Sequence, residues 1–151
     1  MVTRRIRQIG KADSGQSLVE FALVLPLLLL VFMGISEFGR FYYTRLTLQH
    51  AVREAARYAI TGQQMADPET GEPIGRVSSI AQVVLENART LDVDLDGFSV
   101  SPADGGGPED IVRVRVTFNY DFRMPLIKEL LPEHGVSLSY ETAMRNEPFY
   151  E

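Results

Sequence analysis

The sequence predicts an α+β protein in which a long N-terminal transmembrane helix continues into a soluble domain of one helix and a three-stranded antiparallel sheet. Three observations support this prediction. Residues 21–35 contain no charged or strongly polar side chain, apolar residues then recur at helical spacing as far as residue 59, and residues 112–122 alternate strictly between apolar and polar. These patterns are typical of a membrane helix, an amphipathic helix and a strand with one buried face, respectively.

The charge of the chain is divided unevenly along its 151 residues. Residues 1–15 hold four basic side chains and one acid, a net charge of +3, so the remainder carries −8 of the total of −5. An acidic domain repels nucleic acid phosphates, and protein partners are therefore expected. The chain has no cysteine, which excludes disulfides, thiol nucleophiles and metal-thiolate sites.

The membrane-spanning segment is predicted at about residues 18–38, because a helix needs about 20 apolar residues to cross a bilayer. The basic leader, residues 1–15, places the N-terminus in the cytoplasm and the C-terminal domain outside. A cleaved secretory signal would need a small-x-small site after the apolar stretch, and residues 36–41 offer none. The segment is thus expected to be retained, with a kink at Pro26.

The helix is expected to extend beyond the membrane, over residues 16–61, to a C-cap at Gly62. Such a helix would be roughly 65–70 Å long, of which a bilayer accounts for about 30 Å. The outer part must then pack against something. The residues predicted to pack it are Phe38, Phe41, Tyr42, Ala55 and Ala59. The small alanines allow another backbone to approach closely, and the sheet is expected to pack its apolar face on this outer half of the helix. The aromatic side chains predict either a packing face for neighbouring subunits or an interfacial belt.

The rest of the chain predicts a loop over residues 62–75 and an α+β domain over residues 76–151. A second helix is expected near residues 77–90, with Ser79 and Gln82 forming a capping box at its start. Predicted strands cover residues 93–100, 111–122 and 136–144, and a short helix is expected to begin at Pro125.

Three further motifs resemble functional sites, and each favours a structural interpretation. The acidic run 92–97 imitates the start of a calcium loop, but position 12 of that loop would be Ala103, which cannot supply the bidentate carboxylate. The two histidines, His50 and His134, are not expected to be catalytic, because the sequence contains no Gly-x-Ser-x-Gly elbow to supply a serine nucleophile. The triple glycine 105–107 lacks the lysine of a phosphate loop and predicts a hairpin connection. No catalytic residue, metal or cofactor is expected.

The N-terminal stretch resembles a known pattern. A basic leader ends in Gly15, and a glutamate follows five residues later at the head of the apolar helix, as in type IV pilin-like proteins cut by prepilin peptidases. The series Glu20-Phe21-Ala22-Leu23-Val24-Leu25-Pro26, with Glu37-Phe38-Gly39-Arg40 and Ala51-Val52-Arg53-Glu54-Ala55-Ala56-Arg57-Tyr58-Ala59 after it, is similar to the TadE-like family, pseudopilins of the Tad/Flp pilus system. The resemblance is dense over residues 15–61.

The resemblance implies a minor pilin-like component of a Tad pilus, held in the bacterial inner membrane or incorporated in the fibre, with surface attachment as its downstream role. A prepilin peptidase would cut between Gly15 and Gln16, while Glu20 and Phe21 would serve assembly, the glutamate by pairing with the N-terminal amine of a neighbour. The partners implied are that peptidase, other pilin-like subunits and the inner-membrane pilus platform. Two features differ from the major pilins that form the fibre. A large domain follows Thr61, and Phe21 occupies the position where major pilins often have tyrosine.

An alternative function remains open from the sequence. The chain could be an uncleaved, signal-anchored binding module of the cell envelope, whose helix only tethers the acidic domain. Glu20 would then simply reach the membrane interface with its polar end, as amphipathic side chains do.

Overall fold

The computed structural model describes residues 12–91, 93, 97–124 and 135–148, with side chains from Gly15 onward. Two helices precede three strands, and the strands form one antiparallel sheet in the order β1-β2-β3. The elements are α1 (Ala12–Ala59), α2 (Arg76–Asn87), β1 (Phe98–Ser101), β2 (Ile111–Tyr120) and β3 (Val136–Arg145). The predicted α+β class, with a long apolar helix ahead of a helix-plus-sheet domain, is confirmed.

The chain forms two compact units, Met1–Phe38 and Gly39–Glu151. In the first unit, the apolar side chains that follow Glu20 along α1 lie open: Leu23 is 73% exposed and Phe32 is 67% exposed. Among the described residues, one helix is long and apolar enough to cross a membrane, and its apolar stretch is wholly unburied within the chain. This is the surface that a lipid-facing helix presents.

The second unit is built on a core that α1, α2 and β2 share. Leu48, Ala51, Val52, Ala55, Ala56 and Ala59 of α1 meet Ile80, Val83, Val84 and Ala88 of the α2 region and Val112, Val114 and Val116 of β2. The α1 members recur at steps of three and four, the spacing that places side chains on one helical face. Four of them are alanines, whose small side chains allow the neighbouring elements to approach closely.

The sheet follows the alternation of the sequence. In β2 the valines are buried and the arginines between them are exposed. Val116 lies opposite Phe98 of β1 and Tyr140 of β3, so all three strands turn the same face inward. On the outer face, Arg115 and Arg113 both lie within ion-pair distance of Glu141, at 2.5 and 3.9 Å. Exposed pairs of this kind contribute little to stability, typically below about 1 kcal/mol.

Several element boundaries differ from the predicted ones. Helix α1 begins at Ala12, inside the predicted leader, because a helix extends readily once formed. It ends at Ala59 rather than residue 61, since the Gly62 amide donates to the Ala59 carbonyl oxygen at a positive φ of 68°. Strand β2 ends two residues early, at Tyr120, whereas β3 continues one residue further, to Arg145. The described part of β1 begins at Phe98.

The predicted capping box at Ser79 is wrong. Helix α2 begins at Arg76 with Gly75 as its N-cap, and no side chain caps it. The buried Ser79 hydroxyl instead donates to the Gly75 carbonyl oxygen at 2.7 Å and accepts from the Met65 amide at 2.8 Å. Ser79 therefore connects the loop before α2 to the helix itself, a contact across 14 residues that the local motif does not encode.

A network of polar contacts closes one end of the domain around the triple glycine. Gly105 and Gly106 are buried and adopt positive φ values of 90° and 71°, which residues with a Cβ rarely adopt. The buried Asn146 amide donates to the carbonyl oxygens of Gly105 and Gly107, at 3.1 and 2.8 Å. The glycines therefore form the connection between β1 and β2, as predicted, and the segment after β3 holds it in place.

Arg76 joins this network to the end of α1. Its guanidinium donates to the carbonyl oxygens of Gly106 and, at 2.7 Å, of Ala59, which is the last residue of the helix. A cation at a helix C-terminus satisfies orphan carbonyls and interacts favourably with the helix dipole. Burial lowers the pKa of Arg76, and the nearby Asp104 carboxylate opposes that shift. The arginine thereby links both helices to the β1–β2 connection.

Candidate functional site

The predicted processing site, Gly15-Gln16, lies in the second turn of α1. A Cβ added at Gly15 would meet no atom within 4 Å, so nothing in the chain itself requires glycine there. Proteases bind their substrates in extended form, and the turn around Gly15 would have to unwind. Unwinding is least costly near a helix end, where turns fray. The site is accessible, and any demand for glycine comes from outside the described chain.

Glu20 lies one helical turn after Gln16, on an open surface. The Gln16 carboxamide Nε2 donates to the Glu20 carboxylate Oε1 at 3.0 Å, and both side chains are exposed. Phe21, beside it, is 60% exposed. The structure thus places the predicted processing and assembly residues within two turns of one helix, with an acid available to a partner outside the chain.

The apolar part of α1 follows at once and carries Pro26 within the helix. Proline has no amide hydrogen, so the helical hydrogen bond to the carbonyl oxygen of Ala22 is missing at this point. A membrane helix tolerates such a gap because neighbouring groups can satisfy the freed carbonyl. This exposed apolar surface, with an acid at its head, requires lipid or other helices to cover it.

A family model described as TadE-like protein matches residues 15–57. The segment is TadE-like. The match begins at the predicted processing glycine and ends within α1, so it includes Glu20, the apolar stretch and most of the core face of the helix. Comparison with curated proteins and with solved structures gave no significant match. The TadE-like segment and its apolar helix support a single-pass, pilin-like membrane protein associated with a Tad pilus.

Within the TadE-like segment, the predicted helix-packing residues have different surroundings. Ala55 and Ala59 are buried in the core of the second unit, whereas Phe38 and Tyr42 are 68% and 51% exposed. Phe41 is half-buried, and its ring packs against two aromatic side chains at the end of the sheet. Ala55 and Ala59 thus pack within the chain, whereas about half or more of the Phe38 and Tyr42 surface is exposed.

Phe41 belongs to an aromatic cluster that ties the TadE-like segment to β2. Its ring centroid lies 5.2 Å from that of Tyr120 in an edge-on arrangement and 6.3 Å from that of Phe122 in a stacked one. The Tyr120 and Phe122 rings are 5.0 Å apart. Aromatic pairs at these distances stabilise beyond their buried area. The cluster therefore fixes where the outer part of α1 meets the sheet.

Arg40 completes this cluster. Its Nε donates to the Tyr120 hydroxyl at 2.8 Å and its Nη2 to the Asp121 carbonyl oxygen at 2.9 Å. The guanidinium carbon also lies 5.1 Å from the centroid of the Tyr120 ring. The partners are 80 and 81 positions away in the chain, so no local pattern could have identified Arg40.

Replacing Arg40 with alanine should destabilise the outer domain by about 2 kcal/mol, since hydrogen bonds from a charged donor contribute roughly 1.5–3 kcal/mol and partial exposure reduces this. The melting temperature of the full chain in detergent micelles, followed by the near-UV signal of the tyrosines, should fall by roughly 5–10 °C. Arg45→Ala is the matched control, because that exposed arginine lies on the same helix. Equal melting temperatures for the two variants would contradict the proposed role of Arg40.

A cavity of about 390 Å³ opens beside this cluster, between the helices and the end of β2. Arginine, tyrosine, threonine and asparagine side chains dominate its lining, and the Tyr43 and Thr90 hydroxyls lie 3.0 Å apart there. In the part of the chain that the structure describes, no three histidine, aspartate or glutamate side chains are grouped as a metal site would require. His50 is exposed, whereas His134 and most of the acidic run 92–97 lie outside the described residues, as does the helix predicted from Pro125.

Proposed function

We propose that this protein is a minor pilin-like component of Tad pilus assembly. In this proposal it inserts into the bacterial inner membrane through α1, with its N-terminus in the cytoplasm and its α+β domain outside. A prepilin peptidase cuts between Gly15 and Gln16, and the processed helix then associates laterally with other pilin-like subunits and the inner-membrane pilus platform. The TadE-like match, which begins at Gly15, is the observation that supports this most directly.

The processing step is supported by the accessibility of the cut site and by the charge ahead of it. Gly15 has open space around it and is followed by an exposed glutamine. Residues 1–15 carry a net charge of +3, which favours the cytoplasmic side of the membrane. The peptide bond to be cut would then lie at the membrane surface, where a peptidase embedded in that membrane works.

The assembly step is supported by the exposed acid and the apolar surface that follows it. A carboxylate at the edge of a bilayer is costly unless it is paired, and ionisable groups in such positions usually mark a function. The N-terminal amine of a neighbouring subunit would supply the missing positive charge at Glu20. Phe21 and the apolar side chains after it would pack against neighbouring helices, with surface attachment by the pilus as the downstream result.

The intact mass of the protein extracted from membranes tests the processing step. In a host with an active prepilin peptidase, we expect a chain that begins at Gln16 and lacks residues 1–15. In the same host with an inactivated peptidase, the leader should remain. Full-length protein under both conditions would contradict the proposal and would favour the uncleaved, signal-anchored binding module.

A further inference from the structure

Gln16 would become the N-terminal residue under the proposed function, and an N-terminal glutamine has a reaction open to it that an internal one lacks. Its α-amine can reach its own side-chain carboxamide and close a five-membered lactam. We propose that Gln16 of the processed chain is a modification site that closes to pyroglutamate, with Glu20 relaying the proton. This rests on the proposed cut after Gly15, because the amine does not exist before that cut.

The reaction balances without an oxidant or any other co-reactant. The uncharged α-amine nitrogen of Gln16 attacks the side-chain carbonyl carbon Cδ, and a bond forms between them. The bond from Cδ to Nε2 then breaks, and Nε2 leaves as ammonia once it has received the proton that the amine loses. The product is a neutral lactam at the N-terminus, so the positive charge of the amine is removed.

The structure places a proton carrier at the leaving nitrogen. The Glu20 Oε1 atom lies 3.0 Å from the Gln16 Nε2 atom and accepts a hydrogen bond from it. A carboxylate at this distance can take the proton released by the attacking amine and deliver it to Nε2 as the ammonia departs. Positioned acid–base groups within hydrogen-bond reach accelerate proton transfers in this way.

The surroundings leave the side chain free to close. Gln16 and Glu20 are both exposed, and their hydrogen bond links residues four apart on an open helix surface. A Cβ at the preceding residue, Gly15, would meet nothing within 4 Å, so no other part of the described chain crowds the new terminus. The Gln16 carbonyl carbon can therefore turn toward the amine while Nε2 keeps its hydrogen bond to the Glu20 carboxylate, which is equally exposed.

The lost charge would change which subunits can assemble. Glu20 needs the ammonium group of a neighbour to offset its charge near lipid, and a closed copy of this chain has no ammonium group to offer. Contacts between two closed copies would therefore lack this pair, while a different pilin-like subunit with an open N-terminus could still provide it. Closure of Gln16 would favour mixed contacts, as a minor component requires.

Intact-mass spectrometry of the processed protein from membranes tests the modification. We expect a mass that corresponds to residues 16–151 less one ammonia. Gln16→Asn is the matched control, because its carboxamide is one methylene shorter and cannot close a five-membered ring, and it should keep its ammonia. A synthetic peptide with an N-terminal Gln-Ser-Leu-Val-Glu sequence, added at extraction, should stay open and would thereby exclude closure during handling.

The possible outcomes separate the modification from the cut itself. A chain that lacks residues 1–15 but retains the ammonia would overturn the pyroglutamate proposal and leave the processing step intact. A full-length mass would overturn both. Glu20→Gln should slow the loss of ammonia after the cut by about tenfold. This is less than the roughly 100- to 10,000-fold typical of positioned acid–base groups, because the site is exposed. Equal rates in this variant and the unaltered chain would overturn the proton relay.

Discussion

Gly15→Leu should leave residues 1–15 attached and abolish pilus assembly that depends on this protein. A Cβ at this position meets no atom of the described chain, so the fold should tolerate the change. The effect would arise in the peptidase, where an added side chain displaces the bond to be cut. A misplacement of roughly 1 Å at a reacting bond costs about 100-fold in rate. The full-length band should therefore persist on a gel of membrane extracts.

Gly34→Leu provides the matched control for this variant. Gly34 also lies in α1, in the apolar stretch, and a Cβ there likewise meets nothing within 4 Å. Leucine suits that environment, so this variant should insert and be processed at the normal rate. If Gly15→Leu were processed as fast as Gly34→Leu, the cut would not lie after Gly15. A host that assembles pili normally with unprocessed Gly15→Leu would instead show that assembly does not require the cut.

Asn146→Ala should substantially destabilise the outer domain, although the side chain that it removes is polar. Asn146 is 3% exposed, and its amide donates to two carbonyl oxygens in the connection between β1 and β2. Removing this buried donor leaves the Gly105 carbonyl oxygen unsatisfied, at a cost of about 1–3 kcal/mol. The Gly107 carbonyl oxygen loses one hydrogen bond but still accepts from the Asp110 amide at 3.3 Å. The Asn146 Oδ1 atom is buried without a partner among the described residues, and losing it returns part of that cost. The net loss should be about 2–3 kcal/mol.

The melting temperature of the full chain in detergent micelles measures this loss and should fall by roughly 8–12 °C. Asn119→Ala is the control, since Asn119 is exposed on the outer face of β2 and its change should shift the melting temperature by less than about 2 °C. Processing at Gly15 should be unaffected in both variants if the two regions act independently. A melting temperature unchanged by Asn146→Ala would contradict the assigned role of these hydrogen bonds.

The N-terminal region could be read from the sequence because its information is local. The uncharged stretch 21–35, the basic leader and the spacing from Gly15 to Glu20 are contiguous, and together they indicated the TadE-like resemblance that the family match confirms over residues 15–57. Membrane insertion depends on the apolar character of one continuous segment, and that property is fully contained in the order of its residues.

The fold class was also predictable, and for a related reason. The direction of a side chain is set by the local geometry of its own helix or strand, so the burial of Leu48, Val52 and the β2 valines follows from their period. The ends of elements were less predictable, because they depend on a few hydrogen bonds. Hydrogen bonds from the Thr61 and Gly62 amides form a turn at the end of α1. Strand β2 ends at Tyr120, although the alternation of apolar and polar residues continues to residue 122.

The sequence by itself therefore determined the apolar helix, the TadE-like motif, the core faces and the α+β class. Only the tertiary structure decided that Arg40 bonds to Tyr120 and Asp121, that Ser79 joins the loop to α2 rather than capping it, and that Asn146 closes the glycine connection. These contacts join residues from 14 to 81 positions apart. A periodic pattern indicates which face of an element is buried, but the partner of a polar group depends on which elements meet in space.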